Sequence, residues 1–122
     1  MVPGNASQPG ADGHVASQLR KGVLEYCVLA LLRDRPRYGV ELLEELARVE
    51  VMATSQGTMY PLLSRLRRTG LADTHLRDSD SGPPRRYYTL TDAGRSALEE
   101  FAANWPSFRT AVDHFLTPGE PT

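Results

Sequence analysis

The side chains best suited to chemistry lie between Ser55 and Gly70, in the run Ser-Gln-Gly-Thr-Met-Tyr-Pro-Leu-Leu-Ser-Arg-Leu-Arg-Arg-Thr-Gly. On a helical wheel Met59, Leu62, Leu63 and Leu66 recur as i, i+3, i+4, i+7, which makes one buried stripe. Gly57, Pro61, Ser64 and Arg68 fall opposite it. Thr58, Tyr60 and Arg65 lie on the flanks, with Arg67 nearer the core edge. The small residues of the outward ridge let its first half press close against another surface. Guanidinium groups, hydroxyls and a phenol around its second half suit phosphate oxygens and base edges. Ser55 fits an N-cap, and Gly70 stands where a helix exits through a left-handed residue. Pro61 forfeits a backbone hydrogen bond and is expected to bend the helix. An ordinary solvated helix also carries arginine on its outer face, so this stretch alone leaves both readings open.

Other chemistries find little support. His75 and His114 are isolated, no Ser/His/Asp or Cys/His grouping has supporting context, and no Gly-rich phosphate loop follows a strand. Metal-ligand spacing is absent, and no cofactor is implied. The single cysteine, Cys27, excludes an internal disulfide and reads as a buried thiol in an apolar helix. With 122 residues, 40% hydrophobic and 24% charged, the chain is expected to form one domain that a partner subunit would help to stabilise. No apolar run approaches the roughly 20 residues of a membrane span, so a cytoplasmic protein is expected, at the nucleoid when bound to DNA. The net charge of −1 hides an uneven distribution. Thr54 to Thr91 holds six Arg against three Asp, +3, whereas Asp92 to the end holds two Arg against five acids, −3. A local basic patch is what nucleic-acid binding requires.

The elements that would position this helix follow in order. Residues 1–17, rich in Gly, Pro, Ala and Ser, are expected to be a flexible arm, and 117–122 a flexible tail. A first helix from Gln18 to Arg33 has two apolar stripes, one of Leu24, Cys27, Val28, Leu31 and Leu32, the other of Val23, Tyr26 and Ala30, so it should be sandwiched. Arg20 and Lys21 precede the stripes, where they either touch a DNA backbone or are simply polar. Tyr38 to Arg48 forms a second helix whose outer side, Glu41, Glu44 and Glu45, would repel phosphates, so it should support and not read. The connector Val49 to Thr54 leads into the third helix, which completes a helix-turn-helix. Leu71 to Arg77 and Arg85 to Leu90 read as two strands around the Gly/Pro-rich tip Asp78 to Pro84, a hairpin with Arg77, Arg85 and Arg86 at its open end. From Thr91, a candidate N-cap, Leu98, Phe101, Trp105, Phe108, Val112 and Phe115 follow at spacings 3, 4, 3, 4, 3. That is an a/d seam needing another helix to cover it, so an isologous homodimer is expected, with Val23 and Tyr26 adding the spare face of the first helix. Pro106 is expected to kink or divide this last helix.

Over roughly Leu19 to Leu116 the chain resembles the PadR-like winged helix-turn-helix transcriptional regulators. The resemblance rests on Leu24-Glu25-Tyr26 to Leu32, on Tyr38-Gly39-Val40-Glu41-Leu42, on Gly57 to Leu66, and on Gly82 to Arg95. It implies a mainly α fold with a small β-hairpin: a DNA-binding domain over 18–91 and a C-terminal dimerisation helix over 92–116, as in the family's smaller subgroup. It also implies a bacterial, non-catalytic, usually repressing homodimer on double-stranded DNA. By position, Ser55, Thr58, Tyr60, Ser64 and Arg65 would face DNA from the recognition helix and Arg85 or Arg86 from the wing, with Lys21, Tyr38 and Arg68 as further candidates. Gln56 replaces a proline frequent in the family and adds a polar contact or nothing. Val40 stands where the family often has an aromatic residue. Trp105, with Phe101 and Phe108, resembles a place where some members stack planar aromatic effectors. The other reading makes Trp105 simply the largest residue of the seam.

The leading expectation is therefore a repressor on an inverted-repeat operator, with release by a small aromatic ligand at the dimer interface following only from the first of the two readings of Trp105. A winged-helix module docking on protein is the alternative. It would show an apolar or acidic outer face on the third helix, where this chain has Ser64, Arg65 and Arg68.

Overall fold

The apolar stripes become the inner faces of four helices in the computed structural model, which describes residues 13–119. Helix α1 (His14–Asp34) starts earlier than expected, so His14 to Ser17 are helical and not part of an arm; the rest of that stretch, 1–12, lies outside the described residues. Leu24, Val28, Leu29 and Leu32 are buried along it. Leu29 belongs to neither stripe drawn from the sequence, yet it is fully buried because α1 is packed from several sides.

After α1 the chain makes a two-residue strand, β1 (Arg37–Tyr38), and then α2 (Gly39–Ala47). Tyr38 is thus a strand residue that caps α2 and is not its first turn. Its backbone N–H donates to Glu41 Oε1 at 3.1 Å, which satisfies one amide the helix start leaves open. Arg37 is buried, and its Nε donates to the Leu31 carbonyl at 3.1 Å near the end of α1. A short 3-10 turn (Glu50–Met52) fills the connector.

Helix α3 (Gln56–Arg68) has the expected ends. Ser55 Oγ accepts from the Thr58 N–H at 3.2 Å, and Gly70 takes φ 82°, the left-handed region that glycine enters at least cost. Met59, Leu62, Leu63 and Leu66 are all buried. The helix runs unbroken through Pro61, which is exposed, so the carbonyl of Gly57, deprived of its usual donor, lies on an exposed stretch of helix.

The expected two-stranded hairpin is part of a three-stranded antiparallel sheet ordered β1-β3-β2, with β2 (Ala72–Ser79) and β3 (Gly82–Leu90). Both strands reach further toward the tip than their alternation indicates, and the register shifts between Arg77 and Ser79. Pro83 and Pro84 are accommodated inside β3 because β1 pairs only with Tyr87 and Tyr88, leaving that edge open at the prolines.

Thr91 closes the domain onto α4 (Asp92–Leu116): its Oγ1 accepts from the Gly94 N–H at 2.9 Å and donates to the Gly70 carbonyl at 2.7 Å. The exit of α3 and the start of α4 are thereby fastened together. Pro106 does not divide α4. Leu98, expected in the dimer seam, is instead buried in the chain's own core, and Tyr26 is stacked on Phe101 of the same chain. The seam open to a partner therefore begins further along the helix than its spacing indicates.

Candidate nucleic-acid interface

Because its apolar stripe is sunk in the core, α3 can present only its other side. Ser55, Gln56, Thr58, Tyr60, Ser64, Arg65 and Arg68 are all exposed there. They are not equally free. Ser55 is occupied as the cap. The Tyr60 ring lies against Gly39, where a Cβ would come within 2.7 Å of it, so the absence of a side chain at the start of α2 lets the ring settle there. Arg65 is turned toward α1, where its Nη2 donates to Glu25 Oε1 at 2.9 Å. Arg67 and Arg68 make no ion pair among the described residues.

In the hairpin, strand alternation puts Arg85 and Arg86 on opposite faces. Arg85 joins Tyr38, Tyr87, His75 and Arg77 on one of them. Its guanidinium lies 4.6 Å from the Tyr38 ring centroid, and that of Arg77 lies 4.4 Å from Tyr87. Arg77 Nε also donates to His75 Nε2 at 3.1 Å, so that nitrogen of His75 acts as an acceptor. The Arg85–Tyr38 contact ties the wing to the mouth of α2 through a cation–π interaction. On the other face, Arg86 Nη1 donates to Thr74 Oγ1 at 3.0 Å beside Leu76, which is largely exposed. Lys21 is exposed on α1, and its neighbour Arg20 is committed to the Val51 carbonyl at 2.9 Å.

A second feature lies between α1 and α4, where a groove of about 670 Å³ is lined by Leu19, Val23, Tyr26, Phe101, Trp105 and Phe108 among others. Tyr26 and Phe101 stack with centroids 4.2 Å apart, and Phe101 continues to Trp105 at 5.6 Å, so two of the three aromatic candidates stack with Tyr26, while Phe108 only lines the same groove. Further along α4, Phe108, Val112 and Phe115 are 65%, 53% and 82% exposed, an apolar face with no cover. Burial pushes the Cys27 thiol up, which keeps it protonated and a poor nucleophile. Among the described residues no helix is long and apolar enough to cross a membrane, and no group of three or more His, Cys, Asp or Glu side chains could hold a metal ion.

Glu25, Arg37 and Tyr87 are the neighbours that sequence reasoning missed. Glu25 carried a signal, since it is the one acid of α1 before Asp34, set between two apolar stripes. Arg37 and Tyr87 carried none, because their roles depend on β1 joining the sheet.

A family model described as the transcriptional regulator PadR-like family matches residues 28–100, more than half of the chain. The chain belongs to the PadR-like family of transcriptional regulators. Among PadR-like proteins of known structure it is similar to a transcription factor from Bacteroides fragilis, with 40% identity and a TM-score of 0.69, covering 84% of this chain and 99% of that one. It is likewise similar to a PadR family regulator from Eggerthella lenta, with 34% identity and a TM-score of 0.76, covering 86% and 91%. A transcriptional regulator of Mycobacterium tuberculosis is 36% identical over 83 residues, 68% of this chain and 76% of that protein. The four helices and small three-stranded antiparallel sheet match the PadR-like winged-helix fold.

Proposed function

We propose that this PadR-like regulator is a homodimer that represses transcription by binding an inverted-repeat operator, with α3 in the major groove and the β2–β3 wing against the adjacent backbone. The observation that carries the reading is the outer face of α3, where hydroxyls and the guanidinium of Arg68, without an ion-pair partner among the described residues, project from a helix whose other side is locked into the core. That face is neither apolar nor acidic, which argues against a protein-docking module. Dimerisation is supported by the uncovered Phe108, Val112 and Phe115, because an apolar seam of this length is unstable facing water. Two symmetry-related α3 helices would need half-sites about 10 base pairs apart, or a near multiple. A planar aromatic effector is the ligand class that fits the Phe101–Trp105 stack at the groove, where it would bias the two subunits' relative placement.

The test is fluorescence-anisotropy titration against duplex from upstream of the protein's own gene, with scrambled duplex as control, at two salt concentrations. Preferential binding that weakens with salt and is lost in Arg65→Ala/Arg68→Ala supports the reading. Absence of binding to either duplex at low salt by folded, dimeric protein would overturn it and favour docking on protein.

A further inference from the structure

We propose that Glu25 is a positioning residue that withholds Arg65 from DNA and thereby sets how strongly the recognition helix holds phosphate. This rests on the DNA-binding reading above and concerns the control of that same surface. Arg65 and Glu25 are 40 residues apart in sequence, so their contact is made by the packing of α3 on the rest of the domain and not by local helix geometry. The contact is single: one terminal nitrogen of Arg65 meets one carboxylate oxygen at 2.9 Å, and the Arg65 side chain remains half exposed. Its remaining N–H donors are therefore open to a second anion. Arg67 and Arg68 on the same helix have no carboxylate partner among the described residues, so Arg65 is the arginine of α3 whose charge is cancelled before DNA arrives.

A carboxylate and a phosphate are competing partners for one guanidinium. With Glu25 in place, a phosphate approaching Arg65 meets a fixed negative charge beside it and gains less than from a free arginine. Replacing that charge by a neutral amide of the same shape removes the repulsion and lets Arg65 swing to the backbone. A pair whose arginine is half exposed is readily exchanged, because solvent weakens its attraction. One added phosphate contact has its own signature, a salt dependence of log K against log salt that steepens by about 0.9.

The experiment compares wild type, Glu25→Gln, Arg65→Gln and the double variant by anisotropy titration on upstream and scrambled duplexes across a salt series. Glu25→Gln is expected to bind both duplexes about threefold to fivefold more tightly at low salt, with the steeper slope, and the double variant to match Arg65→Gln alone. A purely structural role for Glu25 would leave the slope unchanged. The proposal is overturned if wild type binds but Glu25→Gln binds no better, or if the gain persists without Arg65. Failure of all four folded proteins to bind either duplex would instead overturn the DNA-binding reading, and this inference with it. Should Glu25→Gln melt far below wild type, Glu25→Asp takes its place. It keeps the charge but withdraws the carboxylate by one methylene, and a smaller gain of the same sign is then required.

Discussion

A methyl group at Gly39 would sit 2.7 Å from Tyr60 Cε1 and 2.8 Å from its hydroxyl, and that crowding separates a binding effect from a stability effect. The obstacle is the far end of a side chain that is 40% exposed, so the ring can swing outward with little cost to the core. Gly39→Ala is therefore expected to change stability by no more than about 1 kcal/mol. Affinity for an operator duplex should fall about fivefold as Tyr60 loses its resting place, roughly what one lost hydrogen bond is worth. Thermal melting and anisotropy on the same preparation check both halves. At this scale the sequence was informative about residue types and faces: the candidates on α3 are exposed as their spacing requires. It was silent about partners. That Arg65 meets Glu25 and that Arg85 lies over Tyr38 follow from which elements touch, and residue type does not encode this.

The junction between the wing and α4 leaves no room for a side chain at Gly94. A Cβ at Gly94 would collide with the Leu71 backbone carbonyl and with Leu90 Cδ1, and the carbonyl cannot yield because it also accepts from the Thr91 N–H at 3.3 Å. Gly94→Ala is expected to destabilise the fold by about 1–3 kcal/mol, the usual cost of overpacking, despite alanine's better helix propensity. A lower midpoint in urea at unchanged slope is the outcome to look for. Element existence was largely legible beforehand, since each helix has apolar residues at helical period, and α3 and α4 have identifiable caps as well. Three features were not. β1 has two residues and no alternation to read, and the hairpin strands run into a Gly/Pro-rich tract whose composition says turn, while backbone pairing from Ser79 to Gly82 says strand. His14 to Ser17 join α1 in the same way, where local composition had favoured an arm.

For the whole molecule, the uncovered length of α4 matters most. Phe108 and Val112 line the groove and are 65% and 53% exposed, so a symmetry mate seated there would bury them. Phe108→Glu/Val112→Glu is expected to convert the proposed homodimer to monomer in sedimentation velocity, since burying two unpaired carboxylates is costly. Binding to a two-half-site operator should weaken by at least about 100-fold, because the second half-site is then no longer held at high effective concentration. A folded monomer by circular dichroism, with Leu98 and the Tyr26–Phe101 stack keeping α4 attached, distinguishes this outcome from unfolding.

The sequence by itself determined the mainly helical architecture with a small hairpin, the ends of α3, its buried stripe, the polarity of its outer face and membership of the PadR-like family. All of these follow from local periodicity, capping chemistry or motif order, which are written along the chain. Only the tertiary structure decided that Arg65 of α3 meets Glu25 of α1, that β1 completes the sheet, that Leu98 serves the chain's own core, and that α4 continues through Pro106. The first three share a physical reason. Each outcome is settled by a competition between distant groups for the same partner or the same space, and such a competition has no signature in the spacing of neighbours.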